Sequence, residues 1–354
     1  MNEQVIDEDF NEFIQHVLDA DIPIPRRYIR ERDNPMELFS AEEFRVRYRF
    51  SKETVRDTIL PLISPENIHL RGLPLPPMLK VLTCLRFYAT GSFQVVCGDL
   101  SNVSQPSVSR LIKIVSTEIV SHLREWIKTP RTEQETADNQ QRFYAVRQFP
   151  GVTGCIDCTH VPIMSPGGDN AEGFRNRKGW FSLNVQVVVG PNMEIMDIVT
   201  RWPGSTHDAR IFHNSRLKLM LERRELKGFL LGDRGYPQLP YLYTPLANPM
   251  TAPERRYNVA HIATRCIVER TFGVWKRRFP CLSMKLRTKL QTTVKIVSAC
   301  AILHNIGILQ RDDLLDMVPN IAVNDVPVVA ANIRNRRGAA ERAAFIQRHF
   351  GQVQ

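Results

Sequence analysis

Val152-Thr153-Gly154-Cys155-Ile156-Asp157-Cys158-Thr159-His160-Val161-Pro162-Ile163 is the stretch on which the fold turns. Upstream of Pro150 the apolar residues recur at helical spacing; here they run as an apolar strand with one acid, Asp157, inside it. Two more strand candidates follow, Leu183 to Val189 and about Glu194 to Thr200, joined by the turn residues Gly190-Pro191-Asn192. A helix is expected at 207–225, then a buried strand, Phe229-Leu230-Leu231-Gly232-Asp233, which ends on a second acid. Long helices are expected from about Arg256 to Arg278 and from about Thr292 to Leu309. Three strands in hairpin order, then helix, strand and helices, is the ribonuclease H-like α/β plan.

Upstream, residues 1–40 read as an acidic arm, with Glu3, Asp7, Glu8, Asp9, Glu12, Asp19 and Asp21 crowded at its start. Residues 41–128 read as an all-helical, helix-turn-helix-type region. Ser51 can cap a helix through Val55, Ile59 and Leu62, and Pro77 can start another through Val81, Leu82 and Leu85. Phe93 to Leu100 reads as a short helix and Ser101 to Val103 as a turn. A long helix should follow from the N-cap Ser104 to about Trp126, with Val108, Leu111, Ile112, Val115, Ile119 and Leu123 as its apolar stripe. Ser107, Arg110 and Lys113 lie off that stripe, where a recognition helix would meet the major groove; any helical hairpin would give a similar pattern. Residues 129–149 are polar and read as a linker with some helix. Residues 150–311 hold the α/β domain, and 312–354 form a tail with an Arg-rich helix at 335–350.

The 354 residues are 43% hydrophobic and 24% charged, ordinary for a globular protein of two or three domains. The net charge of +10 favours an anionic partner. The surplus is local: residues 253–290 carry ten basic residues, among them Arg265, Arg270, Lys276, Arg277 and Arg278, against two acids, Glu254 and Glu269. Such clustering reads either as a phosphate-binding surface or as a solvated helix face. Seven scattered cysteines point to free thiols in a reducing compartment. The acidic N-terminus lacks the apolar core of a signal peptide, and the most apolar stretch, Val297 to Leu309, is short for a bilayer span. The expectation is therefore an intracellular protein with no membrane partner.

Asp157 and Asp233 sit in strands with no other reason to carry charge, since acids are rarely buried without a partner. Glu269 lies mid-helix, on one face with His261 and Arg265. Three carboxylates from three elements can meet at one edge of a sheet, where a hard cation would relieve their repulsion: Mg²⁺ or Mn²⁺ suits all-oxygen ligands. Paired ions ~3.5–4 Å apart drive phosphoryl transfer in such sites. Other chemistries fit less well. Cys155 and Cys158 are three apart on a strand and point to opposite faces, so they make no zinc pair. Ser205, His207 and Asp208 are sequence neighbours, unlike a catalytic triad. There is no HExxH, P-loop or GxGxxG. His160 reads as a hydrogen-bonding or substrate-side residue, and Trp180, Phe181 and Trp202 as packing residues rather than base-stacking ones.

Four blocks resemble the PIF/Harbinger-type DDE transposases: Gly154 to Val161, Arg201-Trp202-Pro203-Gly204-Ser205-Thr206-His207-Asp208-Ala209-Arg210, Leu231-Gly232-Asp233-Arg234-Gly235-Tyr236-Pro237, and Asn258 to Phe279 around Val268-Glu269-Arg270-Thr271-Phe272-Gly273. Thirty-five residues separate Asp233 from Glu269, a spacing common among DDE enzymes. Among these families the chain is most similar to the domesticated animal members, the Harbinger transposase-derived nucleases. The resemblance implies a catalytic triad of Asp157, Asp233 and Glu269 that holds a divalent metal, Mg²⁺ or Mn²⁺. Asp208 is then an extra metal ligand, or an acid that interacts with its helix dipole. Cys158 stands where the family usually has Gly. The implied function is a metal-dependent endonuclease acting on DNA phosphodiester bonds, with or without transposition. The alternative is a catalytically retired DNA-binding or scaffold protein. The resemblance further implies DNA and a Myb-like DNA-binding protein as partners, leaves a homo-oligomer open, and places the protein in the nucleus, with the cytoplasm as a second location.

Overall fold

In a computed structural model the described residues are 34–64, 75–101, 103–312 and 335–351. Most of the acidic arm lies outside them. After a single helical turn at Pro35–Leu38 comes α1, Ala41–Tyr48, opened by a Ser40 capping box with Glu43. Ser51 caps the next turn through Thr54 N, as expected, but the helix then loosens into a π turn at Val55–Ile59 and ends at Leu62. Pro77 opens α2, Pro77–Thr90. Then come α3, Gln94–Ser101, and α4, Gln105–Ser121. Ser104 is the N-cap residue, yet its hydroxyl meets Ser107 Oγ at 3.0 Å instead of accepting from the backbone. Val108, Leu111, Ile112, Val115 and Ile119 of the expected stripe are buried, but α4 stops at Ser121 instead of running to Trp126, and Leu123 lies half-buried in a separate turn of helix, Leu123–Trp126. Residues 129–149 hold a full helix, α5, Glu133–Arg147, capped by Thr132 and Glu135, with Phe143 buried.

The sheet is mixed, in the order β3-β2-β1-β4-β5. Its strands are β1, Val152–Pro162; β2, Ser182–Val189; β3, Ile195–Pro203; β4, Phe229–Leu231; and β5, Leu242–Tyr243. β1 pairs antiparallel with β2, and β2 with β3; β4 runs parallel to β1, and β5 to β4. Gly154 lets this centre close up, because a Cβ there would sit 2.8 Å from Val188 Cγ1 and 2.9 Å from Met196 Cε. This arrangement is compatible with a DDE nuclease domain. The helix expected at 207–225 is two helices, α6, Asp208–His213, and α7, Arg216–Glu222, because Ser215 caps a new start through Lys218 N.

Alternation along β1 sorts its side chains between two faces. Ile156 packs with Phe212, Leu217 and Leu221 of α6 and α7. Cys155 and Asp157 face the other way, toward α8, Ala252–Arg278, where Cys155 Sγ lies 3.7 Å from Thr264 O. Cys158, on the α6 side, meets Tyr236 Oη at 3.3 Å, so the two thiols do lie on opposite faces. α8 begins four residues earlier than its apolar pattern implied, at a Thr251–Glu254 capping box with Pro in the first turn.

α9, Leu290–Leu309, joins the two halves of the chain. One side packs on β3, where Asn305 accepts from Ile195 N at 2.8 Å and donates to Ile195 O at 2.7 Å; the other packs on α4. Its twenty residues are long and apolar enough to cross a membrane, so shortness is not the argument against a span. Burial is, since 72% of its apolar window is covered by the rest of the fold. The last helix, α10, Arg336–Phe350, lays Phe345 and Phe350 against Phe149 and anchors Arg342 to Thr244 O at 2.8 Å.

Candidate active site

Asp157 is in the middle of β1, Asp233 two residues past the end of β4, and Glu269 in the second half of α8. Two of the three carboxylates, Asp157 and Glu269, converge on one guanidinium, with Asp233 close by. Arg265 donates from Nη1 to Asp157 Oδ2 at 3.0 Å and from Nη2 to Glu269 Oε1 at 2.6 Å. Helical spacing places Arg265 one turn before Glu269, and β1 brings Asp157 to the same side. Asp157 Oδ1 also accepts from Cys158 N at 2.7 Å, and Asp233 Oδ1 from Gly235 N at 2.9 Å.

The electrostatics are those of acids short of cations. Burial first, then the Asp233 and Asp208 charges, raise the Asp157 carboxyl well above the usual range, with Arg265 pulling the other way. Burial likewise raises Asp233, against Arg265 and with Asp208 and Glu269. Burial disfavours the Arg265 charge, but Asp157, Glu269 and Asp233 outweigh it and hold the guanidinium more firmly protonated than usual. Asp208 joins this group from the opposite side of β1. It opens α6, where His207 supplies no side-chain cap, and its Oδ1 accepts from Asn184 Nδ2 at 2.9 Å. Asp208 thus heads a helix, as the helix-dipole reading expects, and it lies close enough to raise Asp157 and Asp233.

Among the described residues no three His, Cys, Asp or Glu side chains form a ready-made metal cage. The donor set nevertheless suits a hard cation. It offers only oxygens, the acids repel one another, and a single guanidinium stands where positive charge is needed.

The other expected residues divide. Ser107, Arg110 and Lys113 lie on α4; Arg110 and Lys113 are exposed, and Arg110 donates to Ser107 Oγ at 3.1 Å. Arg270 is exposed and Arg277 half-buried on α8. Arg265 belongs to the acids rather than to a phosphate surface. Lys276 is largely covered and donates to His160 O at 2.9 Å; burial holds it down to about 8. Arg278 must be corrected outright. It is 1% exposed, donates to Arg49 O at 3.1 Å and Asp312 O at 2.7 Å, and lies over Phe50. An arginine with two carbonyl acceptors in the core does not meet DNA. The basic run is therefore not one surface, because a 27-residue helix turns its charges to every side.

Sequence reasoning missed the partners of the acids. Asn184 supports Asp208 from β2, and Tyr236 supports Cys158. Only strand register places Asn184 there, opposite His160. His160 bonds Ser182 Oγ through Nδ1 at 3.0 Å and stands edge-on to Trp180 at 5.8 Å.

A five-stranded mixed sheet presenting acids from β1, the end of β4 and a facing helix is compatible with the DDE class of endonuclease domains. Residues 156–305 match the family model described as DDE superfamily endonuclease. The human protein named "Putative nuclease HARBI1" is 36% identical over 242 residues, covering 67% of this chain and 69% of its own. The Xenopus laevis protein of that name is 35% identical over 252 residues, covering 70% and 72%. "Protein ALP1-like" of Arabidopsis thaliana is 29% identical over 276 residues, covering 70% and 64%. No solved structure matches the chain significantly. The chain belongs to the Harbinger transposase-derived family of DDE superfamily endonucleases.

Proposed function

We propose that this protein is a divalent-metal-dependent nuclease that hydrolyses DNA phosphodiester bonds on a ribonuclease H-like domain. The observation that carries the reading is the convergence of Asp157 and Glu269 on Arg265, with Asp233 and Asp208 close enough to perturb Asp157. Asp157, Asp233 and Glu269 would hold the metal, with Asp208 as a further ligand. When bound, Mg²⁺ or Mn²⁺ supplies activation of the attacking water and stabilisation of the leaving oxygen. The protein's own groups do the rest. Cys158 N and Gly235 N fix the orientation of two carboxylates, and Arg265 opposes the rise of the Asp157 carboxyl while bonding Glu269. Arg270 and Arg277 would hold phosphates, and α3 with α4 would hold the duplex as a helix-turn-helix. Nuclear location, with some protein in the cytoplasm, a Myb-like partner and self-association belong to the same proposal.

One observation favours a second reading, a retired DNA-binding scaffold: Arg265 already neutralises two of the three acids. Calorimetric titration of Mn²⁺ separates the two. Saturable binding that disappears in an Asp157→Asn, Asp233→Asn double variant, together with Mn²⁺-dependent cutting of plasmid DNA, is the result expected of the nuclease. Folded protein that binds DNA in a salt-sensitive way but takes up no Mn²⁺, with or without DNA, would mean the scaffold.

A further inference from the structure

On the face of the sheet opposite Arg265 lies a cavity of about 1180 Å³, walled by Cys158, His160, Asn184, Trp180 and Asp208. It begins one residue from Asp157, and it reaches Gly235, whose N–H holds Asp233. Its volume lies just above the usual range for small-ligand pockets, ~300–1,000 Å³.

Three features of its wall describe a ligand. The first is an unmet acceptor. Asn184 is 1% exposed and spends both amide hydrogens on Thr206 O and Asp208, while its Oδ1 is buried without a donor. Such an oxygen wants an N–H. The second is cationic surplus at the mouth. Arg177 contacts the His207 imidazole, and Lys276 bonds a carbonyl; neither of these, nor Lys178, has a carboxylate partner among the described residues. Of the two wall carboxylates, Glu222 is occupied by Lys218 and Tyr241. The third is Trp180, a half-buried indole on the cavity wall, an aromatic surface of the kind on which bases stack.

Resting on the nuclease reading, we propose that this cavity receives one unpaired nucleotide of the DNA strand at the cutting site. Its base lies against Trp180, beside Asn184, and its phosphate sits between Arg177 and Lys178. A paired base must leave its stack to enter such a cavity, which would favour frayed, mismatched or single-stranded termini next to the cut.

The test uses the full chain in EDTA, so neither metal nor cleavage takes part. A pentanucleotide with a central 2-aminopurine is titrated while its fluorescence is read. Saturable quenching is expected in the wild type and in Glu269→Gln. It should weaken about tenfold in Trp180→Ala, recover in Trp180→Phe, and weaken also in an Arg177→Ala, Lys178→Ala double variant, whose exposed positions leave folding intact. No saturable quenching, or equal quenching in the wild type and both sets of variants, would overturn the proposal. Equal affinity for free deoxyadenosine monophosphate would overturn the assignment to a strand. The two readings fail separately. Mn²⁺-dependent cutting without pentanucleotide binding removes only the cavity, whereas Trp180-dependent quenching without any cutting removes only the nuclease.

Discussion

Arg265 is 12% exposed and shares its two donor edges between Asp157 and Glu269. Removing one member of a buried ion network costs about 3–5 kcal/mol, because the remaining charges stay desolvated. Glu269 is 33% exposed and screened by solvent, so the low end applies here. Arg265→Leu should therefore lower the thermal midpoint of the metal-free protein, and Mn²⁺ should restore more of it than in the wild type, since the acids then face no competing cation. A variant as stable as the wild type, or one indifferent to Mn²⁺, would contradict this account of the site. The acids themselves were legible, because a carboxylate in an apolar strand is conspicuous against its neighbours. The shared face of Arg265 and Glu269 was legible too, from helical spacing. That Asp157 completes the pair was not, because its partner is 108 residues away. Arg278 misled for the same reason. Locally it is one more base in a basic run, and its acceptors, Arg49 and Asp312, are distant in the chain.

Among the elements, those with strong local signals matched their sequence patterns: β1, β2 and α9, with α4 matching at its start but breaking at His122, short of Trp126. β5 did not show, since a two-residue strand exists only by pairing with β4. The break between α6 and α7 turned on a single cap, Ser215, inside a pattern that otherwise reads as helix. α9 also carries a titration. His304 is fully buried and bonds Met193 O through Nε2 at 2.9 Å, leaving Nδ1 without a partner. Burial, with Arg278 nearby, depresses it from 6.5 to about 4. Between those values the unfolded chain binds more protons than the folded one, so stability falls as the pH drops through that window. The loss from this residue is about 3 kcal/mol at most. His304→Gln keeps a donor for Met193 O and should flatten the denaturation midpoint between pH 6.5 and 4 by a measurable part of that loss; His261, depressed to about 3, leaves a remainder. An unchanged pH profile would place the acid sensitivity elsewhere.

For the molecule as a whole, the described residues from Phe39 onward pack as one unit, although composition and period change at 128 and 149. α9 is covered by α4 on one side and β3 on the other, and Asn305 joins Trp126 O to Ile195 across it. A fragment of residues 150–311 would leave the α4-facing side of α9 bare, along with the Arg278 guanidinium that now reaches Arg49 O. It should be recovered insoluble, or as a molten state with helical far-ultraviolet dichroism but no cooperative melting. A fragment that melts sharply would show the halves to be independent. Arg278 passes beside Gly307, where a Cβ would lie 2.5 Å from its Nη1, and so it ties α1's neighbourhood to the end of α9. The consequence is one of inheritance. A gene copy halted before Gly307 should leave behind no stable stump, because the apolar stripe of α4 would have no cover. Descendants of such a gene survive whole or fall silent, and a lineage that needs only the front half must still carry the back.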